Sequence, residues 1–208
     1  MRIPAPIALA LTAILSLSLS ALALPPTAAR AQEAAPASPD PRVKFKDGER
    51  YLRDLAESLE IPRKEICLEL SRYDCADKAF RIVLGGVDPY EIRIMQPLDQ
   101  ASLASPIAFD RVALQVCSNR VARDKADPAT AVLFKPAAGR PDAAWREALT
   151  DRLYDRILRR GADAAERQRM AGFLEGLEAR TGRSPKGQAD QTLLACFALA
   201  SSAEAAFY

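Results

Sequence analysis

Four cysteines constrain this chain more than any other feature. Cys67, Cys75, Cys117 and Cys196 stand behind an N-terminus that reads as an export signal, and an even cysteine set in an exported chain reads first as two disulfides. Four cysteines allow three pairings. Closeness in sequence favours Cys67 with Cys75, which leaves Cys117 with Cys196. Closing even the shorter loop would stabilise the fold by roughly 2 to 3 kcal/mol. A site holding a metal on all four thiolates is the alternative, and it needs a reducing compartment.

The signal rests on its layout. Arg2 precedes an apolar stretch from Ile7 to Leu24, Pro25-Pro26 break it, and Ala29-Arg30-Ala31 offers small residues at the two positions that define a cleavage site. Cleavage is expected between Ala31 and Gln32. An uncleaved anchor is the competing reading, because the apolar stretch reaches about the 18 residues of a membrane span. Its Ser and Ala residues and the small-x-small site favour cleavage, and no later run resembles a span. The expected address is the periplasm or the exterior of a bacterial cell.

Charge then bears on partners. The whole chain carries a formal +2, and residues 1–31 contribute Arg2 and Arg30 with no acid, so the remainder is neutral. Between Asp142 and Tyr208 ten basic residues face ten acidic ones. A protein that grips phosphates needs a basic excess on one face, so a nucleic-acid partner is not expected. The stretch LAESLEIPRKEICLEL, Leu55 to Leu70, has helix-turn-helix spacing with Ile66 and Leu70 inward on the second helix. Its turn position holds Glu60 rather than glycine, and Glu65 and Glu69 would face phosphate. It reads better as a corner between two core helices.

Apolar spacing predicts an all-α fold: a compact bundle of about six helices with an irregular middle loop, over residues 47–208, after the signal 1–31 and a flexible Ala/Pro-rich tether 32–46. Asp47 caps a helix carrying Tyr51, Leu52, Leu55 and Leu59. Pro62 opens a second with Ile66, Cys67 and Leu70, and a third runs from about Asp74 through Phe80, Val83 and Leu84 to Gly85-Gly86. VDPYEIRIMQPLDQASLASP reads as an extended loop lying over the core. Ser105-Pro106 starts a helix with Phe109, Val112, Ala113, Val116 and Cys117 on one face. Asp142 caps another with the stripe Trp145, Leu149, Leu153 and Ile157. Asp163 with Glu166 forms a capping-box start for Met170, Phe173, Leu174 and Leu177, ending at Gly182. The helix after Ser184-Pro185 is apolar on more than one face, which places it at the bundle centre.

Histidine is absent, which removes Ser-His-Asp and Cys-His catalysis, His-containing zinc sites and C-x-x-C-H haem attachment. No cysteine pair has C-x-x-C spacing, and no cofactor is expected. The carboxylate pairs Glu65 with Glu69 and Asp151 with Asp155 fit exposed helix ion pairs better than acid/base catalysis. Arg152, Arg156, Arg159 and Arg160 share a helix flank and form the candidate contact for an anionic partner; the competing reading pairs them with Asp151 and Asp155 in solvent.

The C-terminal third carries a resemblance. Leu153-Tyr154-Asp155-Arg156-Ile157-Leu158-Arg159-Arg160, then Phe173-Leu174, then Leu194-Ala195-Cys196-Phe197-Ala198-Leu199 with Ser201 to Tyr208, is similar to the helical module of exported planctomycete-type cytochrome-associated domains of unknown function. The resemblance implies a cell-envelope setting, often beside c-type cytochrome segments, and brings no catalytic residues. This chain lacks the haem-attachment motif of those relatives. The expectation is a disulfide-stapled envelope domain that binds another component, most simply a protein partner, for which the resemblance implies one containing a c-type cytochrome. An envelope enzyme using a carboxylate pair on a polymer is the alternative, and a DNA-binding protein the remote one.

Overall fold

Five of the apolar stripes read from the sequence become the buried faces of α-helices, and a single helical turn makes a sixth. The computed structural model describes residues 45–97 and 102–207; the segment expected to be a signal, the expected tether up to residue 44, residues 98–101 of the expected middle loop and Tyr208 lie outside them. In chain order come α1 (Gly48–Ser58), a two-stranded antiparallel hairpin of β1 (Leu68–Glu69) and β2 (Tyr73–Asp74), a π turn over Cys75–Ala79, α2 (Ser105–Ala126), α3 (Ala143–Leu153) continued by a second π turn over Tyr154–Leu158, α4 (Ala164–Thr181), α5 (Pro185–Ala200) and the single turn α6 (Ala203–Ala206). Among the described residues no helix is long and apolar enough to cross a membrane.

Capping follows the sequence closely. The side chains of Asp47, Asp142 and Ser184 accept from the third backbone N–H of α1, α3 and α5. Asp163 and Glu166 exchange both hydrogen bonds of a capping box at the start of α4, satisfying donors the helix cannot. α5 packs against α2, α3 and α4 and lies at the centre. Its first turns are buried although polar: Gln188 accepts from Ala137 N–H at 2.8 Å and donates to the carbonyls of Gly139 and Arg183, while Gln191 donates to Thr181 and to the Gly182 carbonyl. Gly187 makes this corner feasible, since a Cβ there would stand 2.4 Å from the Gly182 carbonyl oxygen and 2.6 Å from that of Thr181. The two disulfides are Cys67–Cys75 and Cys117–Cys196, the latter joining α2 to α5.

A buried ion pair fixes the long connection after α2. Asp124, fully buried, accepts from Arg120 at 2.8 Å and from the backbone N–H groups of Val132, Leu133 and Phe134 at 2.9, 2.9 and 2.7 Å. Arg120 also donates to the carbonyls of Leu59 and Glu60, leaving its Nε buried without a partner. Carboxylates are rarely buried unless paired and hydrogen-bonded, and here one such group serves three amides that lie outside any ladder.

The two ends of the fold meet. Phe45 forms an isolated bridge with Phe207, Lys46 N–H donates to the Ala206 carbonyl at 2.9 Å, and the Phe45 ring lies 4.4 Å from Phe109 and 5.1 Å from Phe207. Phe45 and Lys46, read from the sequence as the end of the tether, therefore belong to the fold. Tyr51 reaches the same region, donating to the Ala200 carbonyl at 2.7 Å.

The segment 60–97 departs from expectation. No second helix follows Pro62. Glu60 takes a left-handed conformation (φ 52°) after α1, the chain turns, and Ile66 is buried as expected while Leu70 points outward, 84% exposed. The Cys67–Cys75 bond holds two Cα atoms 5.6 Å apart across eight residues, where one continuous helix would set them about 12 Å apart; the chain instead forms a hairpin with Leu68 facing Asp74 and Glu69 facing Tyr73. The third helix, expected from about Asp74, shrinks to the π turn, which Asp74 caps. The middle loop closes on itself through a bridge between Asp88 and Ile94 and does not cover the core, because Tyr90, Ile92 and Met95 are exposed.

Candidate functional site

Large apolar side chains in contact with water are concentrated in one stretch of chain. Of eleven such exposed residues among those described, nine fall between Leu70 and Leu114: Leu70, Tyr73, Val87, Tyr90, Ile92, Met95, Leu103, Ile107 and Leu114. Single exposed apolar residues are ordinary, whereas a cluster marks a contact surface.

The hairpin at the middle of this surface is held from three sides. The Cys67–Cys75 disulfide closes its base, Gln115 on α2 donates to the Leu68 carbonyl at 2.6 Å, and Asn119 donates to the Glu65 carbonyl at 2.7 Å. Arg63 bridges Glu49 of α1 and Asp74 of β2. Burial pushes the Asp74 carboxyl up, but Arg63 and the backbone N–H groups of Asp77 and Ala76 outweigh it and hold the group below its usual range. Arg111 grips both oxygens of Glu69 at 2.9 and 3.0 Å and lies over the Phe80 ring. Between these elements runs an open groove of about 570 Å³, with Leu70, Tyr73, Ala79 and Phe80 on its walls and Glu69, Lys78 and Arg111 at its rim. Ile107 and Leu114 lie one turn of α2 to either side of Arg111. Lys78 also pairs with Glu91 at 3.7 Å, joining the middle loop to the same surface. In that loop the Glu91 N–H holds the Asp88 carboxyl below its ordinary value, against desolvation and with help from Arg81.

The arginines singled out from the sequence lie elsewhere and are engaged. Residues 154–158 form a π turn and Arg159 is left-handed (φ 56°), so the four do not share one helix flank. Arg152 donates to the Leu133 carbonyl, and burial depresses its pKa against the pull of Asp124. Arg156 pairs with Glu60 and Arg159 with Glu57. Arg160 clasps Glu166 and Glu204 and lies over the Tyr154 ring. Their partners are thus neither Asp151, which pairs with Arg167, nor Asp155, and they brace α1, α4 and α6 against the end of α3. An anion reaching them would have to displace these carboxylates. Glu65 and Glu69, expected one turn apart on a helix, separate to Arg123 and Arg111.

Among the described residues, the carboxyl groups whose pKa is displaced are all displaced downward. Asp74 and Asp88 have the causes given above; Arg160 lowers Glu166 to about 2 and also lowers Glu204, and Arg183 lowers Glu178. A general acid needs the opposite displacement. No group of three or more Cys, Asp or Glu side chains placed to hold a metal ion occurs among the described residues.

Sequence reasoning saw the cysteines and missed the surface, because its tips lie in turns that carry no periodicity. A signal was present in Tyr90, Ile92 and Met95, large side chains in a segment with no amphipathic partner face. Comparison with protein-family models, with curated proteins and with solved structures finds no match to this chain.

Proposed function

We propose that the protein is an exported cell-envelope domain that works by binding another envelope component, with the surface around the Cys67–Cys75 hairpin as its contact face. The observation that carries this reading is the run of exposed apolar side chains between Leu70 and Leu114, with Leu70 and Tyr73 on the disulfide-closed hairpin. Rigid presentation lowers the entropic cost of association, and a disulfide suits an oxidising compartment.

Site-specific photo-crosslinking in the native host tests it. A photoreactive residue at Leu70 or Ile107 should give a discrete adduct, to protein or to lipid, and one at Gln168 on the exposed side of α4 should not. Absence of an adduct at both face positions would refute the assignment.

A further inference from the structure

We propose that the Cys67–Cys75 bond is a reversible redox switch: a dithiol reductant opens it in the folded protein and loosens the hairpin tip, while the Cys117–Cys196 bond stays closed. The two bonds differ in what must move before a reductant reaches them. Cys117 and Cys196 are fully buried and join α2 to α5, the central helix, so reaching that bond requires α2 to leave α5, which is global unfolding. Cys67 and Cys75 are also buried, but the chain between them is a surface turn in which residues 70–73 are exposed. The hydrogen bonds that close this turn are long: Ser71 N–H to the Leu68 carbonyl at 3.2 Å, Arg72 N–H to the Glu69 carbonyl at 3.1 Å and Cys75 N–H to the Cys67 carbonyl at 3.3 Å. A local excursion of these few residues uncovers the sulfurs and disturbs no helix.

Gln115 on α2 distinguishes the two oxidation states. Its Nε2 donates to the Leu68 carbonyl at 2.6 Å, which fixes the amide so that Oε1 faces the sulfurs of Cys67 and Cys75 at 3.2 and 3.6 Å. A disulfide has no hydrogen to give, so in the oxidised protein this oxygen accepts nothing from either sulfur. Reduction brings two S–H donors to an acceptor already within reach, and an amide oxygen has two lone pairs to receive them. The dithiol therefore gains hydrogen bonding that the disulfide lacks, which favours reduction.

The step balances with a small dithiol. Its thiolate attacks one sulfur, the electron pair of the S–S bond leaves on the other cysteine, and the reductant's second thiol displaces the first cysteine while closing its own disulfide. Two electrons and two protons pass to Cys67 and Cys75. At the tip, Leu70 and Ser71 are left-handed, with φ of 52° and 56°, a conformation that non-glycine residues hold only where the surroundings impose it. Opening the bond removes that constraint. The flanks stay in place, because the contacts of Arg63 with Asp74, Arg111 with Glu69 and Asn119 with the Glu65 carbonyl do not depend on it. Oxidation thus fixes Leu70, and reduction frees it on a standing base.

The test is a titration of the full oxidised chain with mixtures of reduced and oxidised dithiothreitol in native buffer, trapped by alkylation and read by peptide mass. Cys67 and Cys75 should be alkylated in mixtures that leave Cys117 and Cys196 joined, with circular dichroism unchanged and hydrogen exchange faster in 68–74 alone. Returning the protein to the oxidising mixture should restore the bond. Gln115→Leu removes the acceptor and should raise the ratio of reduced to oxidised dithiothreitol at the midpoint about fivefold, since the lost bond to the Leu68 carbonyl is common to both states. Reduction of both bonds together, reduction of neither short of unfolding, exchange in 68–74 unchanged by reduction, or a midpoint unmoved in Gln115→Leu would each overturn the proposal.

Discussion

Asp124→Asn is a near-isosteric change, and the structure predicts that it costs far more than its size suggests. One carboxylate oxygen accepts from Val132 N–H and Arg120, the other from Leu133 and Phe134 N–H. An asparagine retains a single acceptor oxygen, so two of the four buried donors lose their partner, and its own amide hydrogens face other donors. Each unsatisfied buried group costs about 1 to 3 kcal/mol. The Arg120 charge, with its Nε already unpaired, also loses its counter-ion, and breaking a buried pair from one side costs about 3 to 5 kcal/mol. We therefore expect a total of about 3 to 5 kcal/mol. In urea, with a slope of about 2 kcal/mol per molar, the midpoint should fall by roughly 1.5 to 2.5 M at unchanged slope. Adding Arg120→Met should recover part of the loss, because the stranded charge is then gone. A shift below about 1 kcal/mol, or strict additivity in the double-mutant cycle, would show that Asp124 does not hold the 132–134 segment as argued.

Gly187→Ala should destabilise by about 1 to 3 kcal/mol, the usual cost of overpacking, because its Cβ meets the backbone carbonyls of Thr181 and Gly182 rather than a movable side chain; thermal unfolding of the oxidised protein reads this directly. Removing the Cys117–Cys196 bond by paired serines should cost about 4.5 kcal/mol and removing Cys67–Cys75 roughly 2.5 kcal/mol, as loops closed over 79 and 8 residues differ in chain entropy; equal losses in denaturant titrations would contradict that account. The Glu166 carboxyl, held at about 2 chiefly by Arg160, stabilises the fold above its ordinary pKa, and that contribution disappears as pH falls from about 4.5 toward 2. Glu166→Gln should accordingly flatten the acid limb of a stability profile over that window while lowering the plateau above it.

The parts of the fold legible in the sequence are those governed by local periodicity and capping. α2 to α5 begin and end close to where Ser105, Asp142, Asp163 and Ser184 place them, and their stripes are largely buried, with Trp145 on α3 and Leu193, Leu194 and Phe197 on α5 half-buried and Phe173 on α4 40% exposed. The 60–97 segment was illegible because tertiary contacts override its helical spacing: the Cys67–Cys75 bond folds the chain back on itself, and Arg111 clasps Glu69 from 42 residues away. Pairing of the four arginines failed for a similar reason. Nearest acids in sequence were the natural partners, yet the left-handed turn at Arg159 sends the guanidinium groups to Glu57, Glu60 and Glu204 on distant elements. The Asp124 cluster gave no signal at all, since an Arg and an Asp four residues apart look the same whether buried or solvated. For the candidate face, the cysteines were visible and the exposed tips were not, because exposure is a property of the assembled body.

The meeting of Phe45 with Phe207 bears on how the chain comes into being. A ribosome delivers α1 well before the groups that cover it: the Ala200 carbonyl that receives the Tyr51 hydroxyl lies 149 residues downstream, and Phe207, which packs on Phe45, follows it. Until then the apolar side of α1 has no complete cover, so the nascent N-terminal half waits as an unfinished intermediate and is vulnerable to aggregation. Removing Ala203 to Phe207 would take away the Lys46 and Phe45 contacts that seal this side of the fold.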